Sequence, residues 1–259
     1  MSLDAGHTSN ERERAFSRFE EILNVHNAAI ETIRIVAALP NASDLIAASV
    51  RLRKGMSPEL SAEQVDGHAT LVLDILAAER KRDFDVVRAS ALVAVCGAFE
   101  YLVKATFVDQ AAGDRQQAAG LLAKTRLRVA ATDVLGVSVS EQWFAIADRL
   151  FEHLSEAHPQ MHDRVQKFLL NFTCMPYGDS QKKPLKDVLD RVDSSKFNEA
   201  FLVRNCLVHN GGRVSTQLAR VARLTVGDPI SLSRPDLQPM LLPIRELAQA
   251  LNALWIGAR

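Results

Sequence analysis

Apolar residues recur along this chain at alternating spacings of three and four, which is the period of a helix that buries one face. The first stripe predicts a long helix over residues 11 to 39, and Pro40 is expected to end it because proline cannot continue a helix. The stripe consists of Phe16, Phe19, Leu23, His26, Ile30, Ile33 and Ala37. We interpret His26 as a packing residue, which is the usual role of a histidine in such a stripe.

A shorter amphipathic segment, Ser43 to Lys54, leads to Gly55 and Pro58, and this break is the best candidate for a domain boundary. We therefore divide the chain into an N-terminal helical extension, residues 1–58, and a larger helical bundle, residues 59–259. The bundle is predicted to begin with a helix over residues 61 to 80, whose apolar positions are Val65, Ala69, Val72 and Leu76.

The segment from Phe84 to Gln110 is the most apolar long stretch of the chain. On a helix its apolar residues point in several directions, and they are Leu92, Val95, Cys96, Phe99, Leu102, Val103 and Phe107. A helix that is apolar on all sides is buried, so we expect this one at the centre of a bundle.

Further helices are predicted over residues 114 to 130, 141 to 157 and 159 to 172, with a connection at 136 to 140. The stretch from Pro176 to Pro184 is interpreted as a loop that carries several lysines. Ser195 is the expected N-cap of a helix that runs to about Asn210, where Gly211 supplies the stop.

The C-terminal part of the chain is predicted to contain a last helix that ends near Trp255. Its start is left open, because Pro239 and Pro243 would each kink or end a helix. Two short β-prone segments flank Gly227 to Pro229 and allow one short β-hairpin. The fold class expected is therefore all-α, with one hairpin allowed.

Composition excludes several classes of protein. The chain has 31 basic and 31 acidic residues, so it lacks the broad positive field that drives non-specific nucleic-acid binding. Its three cysteines are widely spaced among apolar residues, which favours reduced thiols and a cytoplasmic location. The longest run without a charged residue, Leu247 to Ala258, is too short for a membrane span, and the N-terminus does not have the pattern of a signal peptide.

The segment Phe201 to Ser215 concentrates polar groups in an apolar context. On a helix, Asn205 and His209 stack on one face and Arg204 lies on its flank, so all three are expected to project to one side. No Asp or Glu occurs between residues 200 and 227, where the basic residues are Arg204, Arg213, Arg220 and Arg223. We interpret this segment as a local cationic patch on a neutral protein.

A histidine that exchanges a proton near neutral pH and an arginine that holds a phosphate together suit cleavage of a phosphodiester. RNA carries its own nucleophile, the 2′-hydroxyl, so no metal or cofactor is required. One His and one Arg are few for this chemistry. A twofold-symmetric dimer would supply two of each, so that one histidine could act as base and the other as acid.

The sequence Arg204-Asn-Cys-Leu-Val-His209 resembles the Arg, polar residue, three residues, His motif of the HEPN superfamily. The helix from Arg88 to Lys104 and the Gly-Gly turn after His209 are similar to the same family, over residues 60 to 259. The chain looks most like the larger bacterial HEPN groups, of the RiboL-PSP-HEPN kind. Many members are metal-independent endoribonucleases, including toxins and phage-defence effectors.

The resemblance implies a HEPN-type helical bundle, and it assigns a role to each residue of the motif. His209 would be the general base or acid, Arg204 the contact to the phosphate, and Asn205 the residue that orients them. Glu100 would pair with Arg204 and fix its direction, and Arg213, Arg220 and Arg223 would contact RNA. The implied partners are RNA or a nucleotide, a second copy of the chain and, for a toxin, an antitoxin protein.

Several alternatives remain open, because the bare Arg-to-His spacing is a weak signal. The chain could be a non-catalytic module that binds a nucleotide, RNA or a protein, or a scaffold in which Arg204 and His209 form a buried polar cluster. The stretch Glu152 to His162 contains metal-ligand residue types, but the spacing fits no zinc pattern and favours a solvated face. Cys206 with His209 could be a nucleophile and its base, although its apolar neighbours favour a core cysteine.

Overall fold

The computed structural model describes residues 5–38, 41–55, 60–82, 84–125, 127, 138–173 and 179–256. These residues form eleven α-helices and one π-helical segment, and no strand occurs within them, so the all-α class is confirmed. The helices are α1 Ala5–Ala38, α2 Ala42–Gly55, α3 Ala62–Lys81, α4 Asp85–Gly113, α5 Arg115–Thr125, α6 Val139–Ala157, α7 Met161–Arg164 continued by the π-helical Val165–Thr173, α8 Asp179–Arg191, α9 Ser194–His209, α10 Thr216–Ala222 and α11 Arg234–Ile256.

Helix α4 lies at the centre of the bundle, as its apolar sequence predicts. Helices α1, α6, α9 and α11 and the π-helical segment all pack against it. Phe99 is fully buried, and its ring centroid lies 6.1 Å from that of Phe19, 5.9 Å from that of Phe197 and 6.2 Å from that of Phe201. One side chain of α4 therefore joins residues from α1 and α9 in a single core.

Among the described residues, α4 is the one helix that is long enough and apolar enough to cross a membrane. Its most apolar stretch has a mean hydropathy of 1.7, and half of that stretch is buried inside the bundle. Core helices commonly share these properties, so the finding is weak support for a membrane location.

Helix α1 belongs to the same hydrophobic core as α4. Phe16, Phe19 and Leu23, three residues of its predicted stripe, are buried in the cluster that contains Phe99. The described part of the helix ends at Ala38, and Pro40 lies outside the described residues. The division of the chain at residue 58 stays a prediction, but the core extends across it.

Helices α2 and α3 form a hairpin that packs mainly on itself. Ala47 of α2 and Val65 and Ala69 of α3 are buried, and Arg51 pairs with Asp66 across the hairpin at 2.7 Å. A capping box at Ser61 begins α3, close to the predicted start.

Two local predictions for the α8 and α9 region are wrong. Asp193 caps α9 in place of Ser195, because its carboxylate accepts hydrogen bonds from the backbone N–H groups of Ser195 and Lys196. The predicted loop up to Pro184 is helical from Asp179, and Pro184 lies inside α8, where it lacks the backbone N–H of an internal helical hydrogen bond. Residues 174–178 lie outside the described ranges.

The allowed β-hairpin is also absent from the described residues. The backbone N–H of Ile230 donates to Gly212 at 2.8 Å, and that of Val214 donates to Asp228 at 2.9 Å, with one isolated bridge between Arg213 and Pro229. The residues predicted to form the hairpin therefore make backbone hydrogen bonds to the turn that follows α9. Both prolines of α11 lie inside the helix. At its start, the Ser233 hydroxyl oxygen accepts from the backbone N–H of Asp236, and the Asp236 carboxylate accepts from the backbone N–H of Ser233.

Asp109 is a buried acid on α4. Its Oδ2 accepts a hydrogen bond from the backbone N–H of Arg12 at 3.2 Å, and its Oδ1 has no hydrogen-bond partner among the described residues. Burial raises the pKa of Asp109 to about 7, and the nearby positive charge of Arg12 opposes that shift only in part. The carboxylate form is therefore disfavoured in the folded protein.

We expect Phe19→Ala to lower the free energy of unfolding by about 3–5 kcal/mol, because it removes a fully buried ring from the shared core. Chemical denaturation would measure this change. Val25→Ala, on the same helix but 57% exposed, is the matched control and should cost less than about 0.5 kcal/mol. Equal, small effects of the two substitutions would show that α1 is a separable extension.

Asp109 also makes a pH-dependent contribution to stability. Because its folded pKa lies above its unfolded one, the folded state binds more protons between about pH 4 and pH 7, so stability should fall as the pH rises through that range. Asp109→Asn should flatten this part of the curve, measured as the denaturation midpoint against pH. An unchanged pH profile in the variant would contradict the assignment.

Candidate functional site

Helix α9 carries the Arg-to-His motif on the boundary between core and solvent. Its core side is formed by Phe197, Ala200, Phe201, Val203 and Cys206, which are all buried. Asn205 and His209 lie on the opposite, exposed side. The pattern of apolar and polar positions along the helix thus presents Asn205 and His209 to solvent while the helix remains packed on α4.

Two glycines, separated from His209 only by Asn210, follow the end of the helix. The backbone N–H groups of Asn210 and Gly212 both donate to the carbonyl of Cys206, at 3.0 and 3.1 Å. Gly211 has a φ of +59° and Gly212 a φ of +74°, the left-handed region that favours glycine. His209 is therefore the last helical residue, and its exposed side chain stands at the surface, as predicted.

Arg204 is held by two neighbours. Its Nη2 lies 3.0 Å from Oε2 of Glu100 on α4, and its Nη1 donates to Oδ1 of Asn205 at 2.8 Å. Glu100 and Arg204 keep 29% and 22% of their side chains exposed, so the pair lies at the rim of the core. The predicted pairing of Glu100 with Arg204 is present, and it orients the guanidinium together with Asn205.

The imidazole of His209 and the guanidinium of Arg204 do not project to the same side of α9. Five residues along a helix correspond to about 140° of rotation and about 7.5 Å of rise. The side chain of Arg204 turns toward α4, whereas His209 points to solvent. Only the relation of Asn205 to His209, one turn apart and about 40° offset, matches the predicted common face.

Arg164 is a residue that the sequence reading missed. Its Nε donates to the carbonyl of His158 at 2.8 Å, and its Nη2 reaches the carbonyl of Ser155 at 3.4 Å. Burial lowers the pKa of Arg164, and the negative charge of Glu100 opposes that shift. Glu100 thus interacts electrostatically with two arginines. The sequence around Arg164 contains no pattern that predicts its interaction with Glu100.

Both described cysteines are part of the core. Burial raises the pKa of the Cys96 thiol, with a smaller contribution from the charge of Glu100. Cys206 is 2% exposed and packs among apolar residues. The interpretation of Cys206 as a core residue is confirmed, and a Cys206–His209 nucleophile is not supported.

A groove of about 240 Å³ runs beside the motif, between the start of α7, α9 and α10. Its polar wall is formed by Gln160, Asn198, Asn205 and Gln217. Asn198 is fixed there, because it accepts from the backbone N–H of His162 at 3.0 Å and donates to Gln160 at 3.2 Å. Asn205 therefore joins the groove to the Arg204–Glu100 pair.

The three arginines predicted to contact RNA are all exposed. Nη1 of Arg213 donates to the carbonyl of Gly227 at 2.9 Å, which fixes the turn after α9. Arg220 lies in the last turn of α10 and Arg223 ends that helix, which packs against α9. The segment from residue 210 to 227 therefore exposes three arginines and contains no Asp or Glu.

The histidine-rich stretch at the end of α6 does not assemble a metal site. Within the described ranges, no three His, Cys, Asp or Glu side chains form a group that could hold a metal ion. The exposed Glu152 lies 3.5 Å from Arg149 and 3.9 Å from Lys104, while the rings of His158 and His162 pack against Phe168 and Phe197.

Comparison of the chain with protein-family models, with curated proteins and with solved structures found no match. The assignment to the HEPN superfamily therefore stays a prediction from the motif and its helical context.

The Glu100–Arg204 pair should be measurably coupled. In a double-mutant cycle of Glu100→Gln and Arg204→Gln, we expect a coupling energy of about 1–2 kcal/mol in unfolding, because both groups are partly shielded from water. The exposed pair of Arg18 and Glu21, at 2.7 Å with 61% and 58% of the side chains exposed, should give less than about 0.5 kcal/mol. Additive effects of the two substitutions would contradict a structural pair.

Proposed function

We propose that this chain is a metal-independent endoribonuclease of the HEPN type that acts as a homodimer. The observation that carries the proposal is the exposed His209 at the end of α9, one turn after an Asn205 that is hydrogen-bonded to Arg204. An acid-free basic segment surrounds this motif. Substrate polyanions would be attracted to this part of an otherwise neutral protein.

In the proposed reaction, His209 accepts the proton of the RNA 2′-hydroxyl as its oxygen attacks the neighbouring phosphorus. The P–O5′ bond breaks, and the leaving 5′-oxygen takes a proton from the His209 of the second subunit. Arg204 compensates the charge that develops on the phosphoryl oxygens, held in direction by Glu100 and Asn205. The products are a 2′,3′-cyclic phosphate and a 5′-hydroxyl.

The geometry of α9 supports a dimeric site over a monomeric one. Arg204 and His209 of one subunit are separated by about 140° around the helix, so they cannot both face one phosphate at close range. A twofold axis near the end of α9 would set the histidine of one subunit beside the arginine of the other. RNA processing, or a toxin or defence role with an antitoxin partner, belongs to the same proposal.

A second candidate function is a non-catalytic module that binds RNA, a nucleotide or a protein. It is favoured by one observation: the charge of Arg204 is already compensated by Glu100 at 3.0 Å. The groove beside Asn205 would then hold the ligand. Binding without turnover distinguishes this function from the nuclease.

The nuclease is tested by incubating purified protein with single-stranded RNA in EDTA. We expect cleavage that leaves cyclic-phosphate ends. No cleavage is expected at a position where a 2′-deoxynucleotide replaces the nucleotide whose 2′-hydroxyl attacks the phosphate. His209→Ala and Arg204→Ala should each reduce the rate by at least about a hundredfold. Light scattering should give twice the chain mass of 28.5 kDa.

His153→Ala is the matched control, since it removes a histidine on α6 away from the motif and should leave the rate unchanged. Full activity in both motif variants, or a strict requirement for a divalent metal, would overturn the proposal. RNA binding without cleavage in the wild type would favour the second candidate.

A further inference from the structure

A second cavity lies away from the motif, between α1, α4 and α6, with a volume of about 560 Å³. This volume is within the range of small-molecule sites, roughly 300–1,000 Å³. Ala105 and Val108 of α4 and Phe144 and Ala145 of α6 give it apolar walls. None of the motif residues lines it, so it has no part in the proposed nuclease.

The charged residues of this cavity are paired with one another, with one exception. The Tyr101 hydroxyl donates to Glu11, whose other oxygen lies 4.0 Å from Arg14, and Lys104 lies 2.7 Å from Asp148. The pKa of Tyr101 is raised to about 12, chiefly by its hydrogen bond to Glu11. These contacts leave no uncompensated positive charge that would attract an anion.

Asp109 is the exception. The residue is 4% exposed and lines the cavity, its Oδ2 accepts the backbone N–H of Arg12, and its buried Oδ1 has no hydrogen-bond partner among the described residues. A buried carboxylate that lacks a hydrogen-bond donor destabilises the folded protein. A ligand that supplies the missing donor removes this destabilisation, which contributes to its binding free energy.

We propose that the cavity between α1, α4 and α6 binds a small organic cation, a primary ammonium with a compact apolar body. The ammonium group donates to Asp109 after the carboxylate rotates to bring the buried Oδ1 to the cavity, and the body packs between Phe144, Ala105 and Val108. An ammonium fits better than a neutral donor because it also supplies the positive charge that stabilises a buried carboxylate. A divalent metal would need further free carboxylates, and Glu11 and Asp148 are already paired.

Benzylamine is a suitable probe, because it combines an ammonium with one aromatic ring. Titration calorimetry on the full chain should give a dissociation constant of about 1 mM or tighter, reasonable for a ligand of this size. Benzyl alcohol and benzoate, which have the same ring but no positive charge, should bind at least about tenfold more weakly.

Asp109→Asn should weaken benzylamine binding by roughly 10- to 100-fold, since it removes a charged hydrogen-bond partner and preserves the shape of the side chain. Ala145→Leu should weaken binding, because the larger side chain narrows the cavity beside Phe144. Asp74→Asn makes the same chemical change on an exposed position of α3 and is the matched control, with no expected effect.

The pH supplies an independent readout. Asp109 faces Glu11 and Arg12 of α1, lies on the same helix as Tyr101 and Lys104, and shares the cavity with Asp148 of α6. With its pKa near 7, Asp109 must lose a proton to hold an ammonium, so binding should be roughly tenfold weaker at pH 6 than at pH 8. This dependence should vanish in Asp109→Asn.

Three outcomes would each overturn the proposal. The first is equal affinity of the wild type and Asp109→Asn for benzylamine. The second is tighter binding of benzoate or benzyl alcohol than of benzylamine. The third is no binding of benzylamine, n-hexylamine or putrescine at concentrations up to about 10 mM, which is well above the dissociation constant expected for benzylamine. All three outcomes are independent of RNA cleavage.

Discussion

The structure depends on the burial of α4 in the bundle. Its apolar residues are spread around most of its circumference, and α1, α6, α9 and α11 pack against it, while Val86 and Tyr101 stay exposed. Phe99 is the centre of the arrangement, because its ring contacts residues from both α1 and α9. The next residue, Glu100, then emerges at the rim of the core, where it contacts Arg204. The position of the candidate site is thus a consequence of how the central helix is packed.

The helices and the central place of α4 could be predicted from the sequence, because periodicity reports which faces are buried. The position of His209 at a helix end could be predicted as well, since two glycines follow it and glycine accepts a left-handed backbone. These are local properties. The Glu100–Arg204 contact could be anticipated only through a family resemblance, because its two residues are 104 positions apart.

What the sequence did not show depends on contacts between distant segments. The β-prone residues around Gly227 make backbone hydrogen bonds to the turn after α9. Their local sequence is equally compatible with pairing to each other in a hairpin, so it does not predict which pairing forms. Arg164 interacts with the charge of Glu100 because α7 and α4 both pack on α9. Asp109 resembles any polar residue near a helix end, and its burial depends on α1 lying over it. The choice of Asp193 over Ser195 as the cap is different, since both residues are competent and only the final geometry decides between them.

The turn after His209 has a consequence for how freely this region can vary. A Cβ built on Gly211 would meet no atom within 4 Å, and one on Gly212 would only touch Leu207, so space is not what excludes other residues. The restriction is torsional, because a left-handed backbone costs most L-residues about 1–2 kcal/mol each. Substitution at these two positions should therefore be restricted, although neither residue has a side chain that could take part in binding or catalysis.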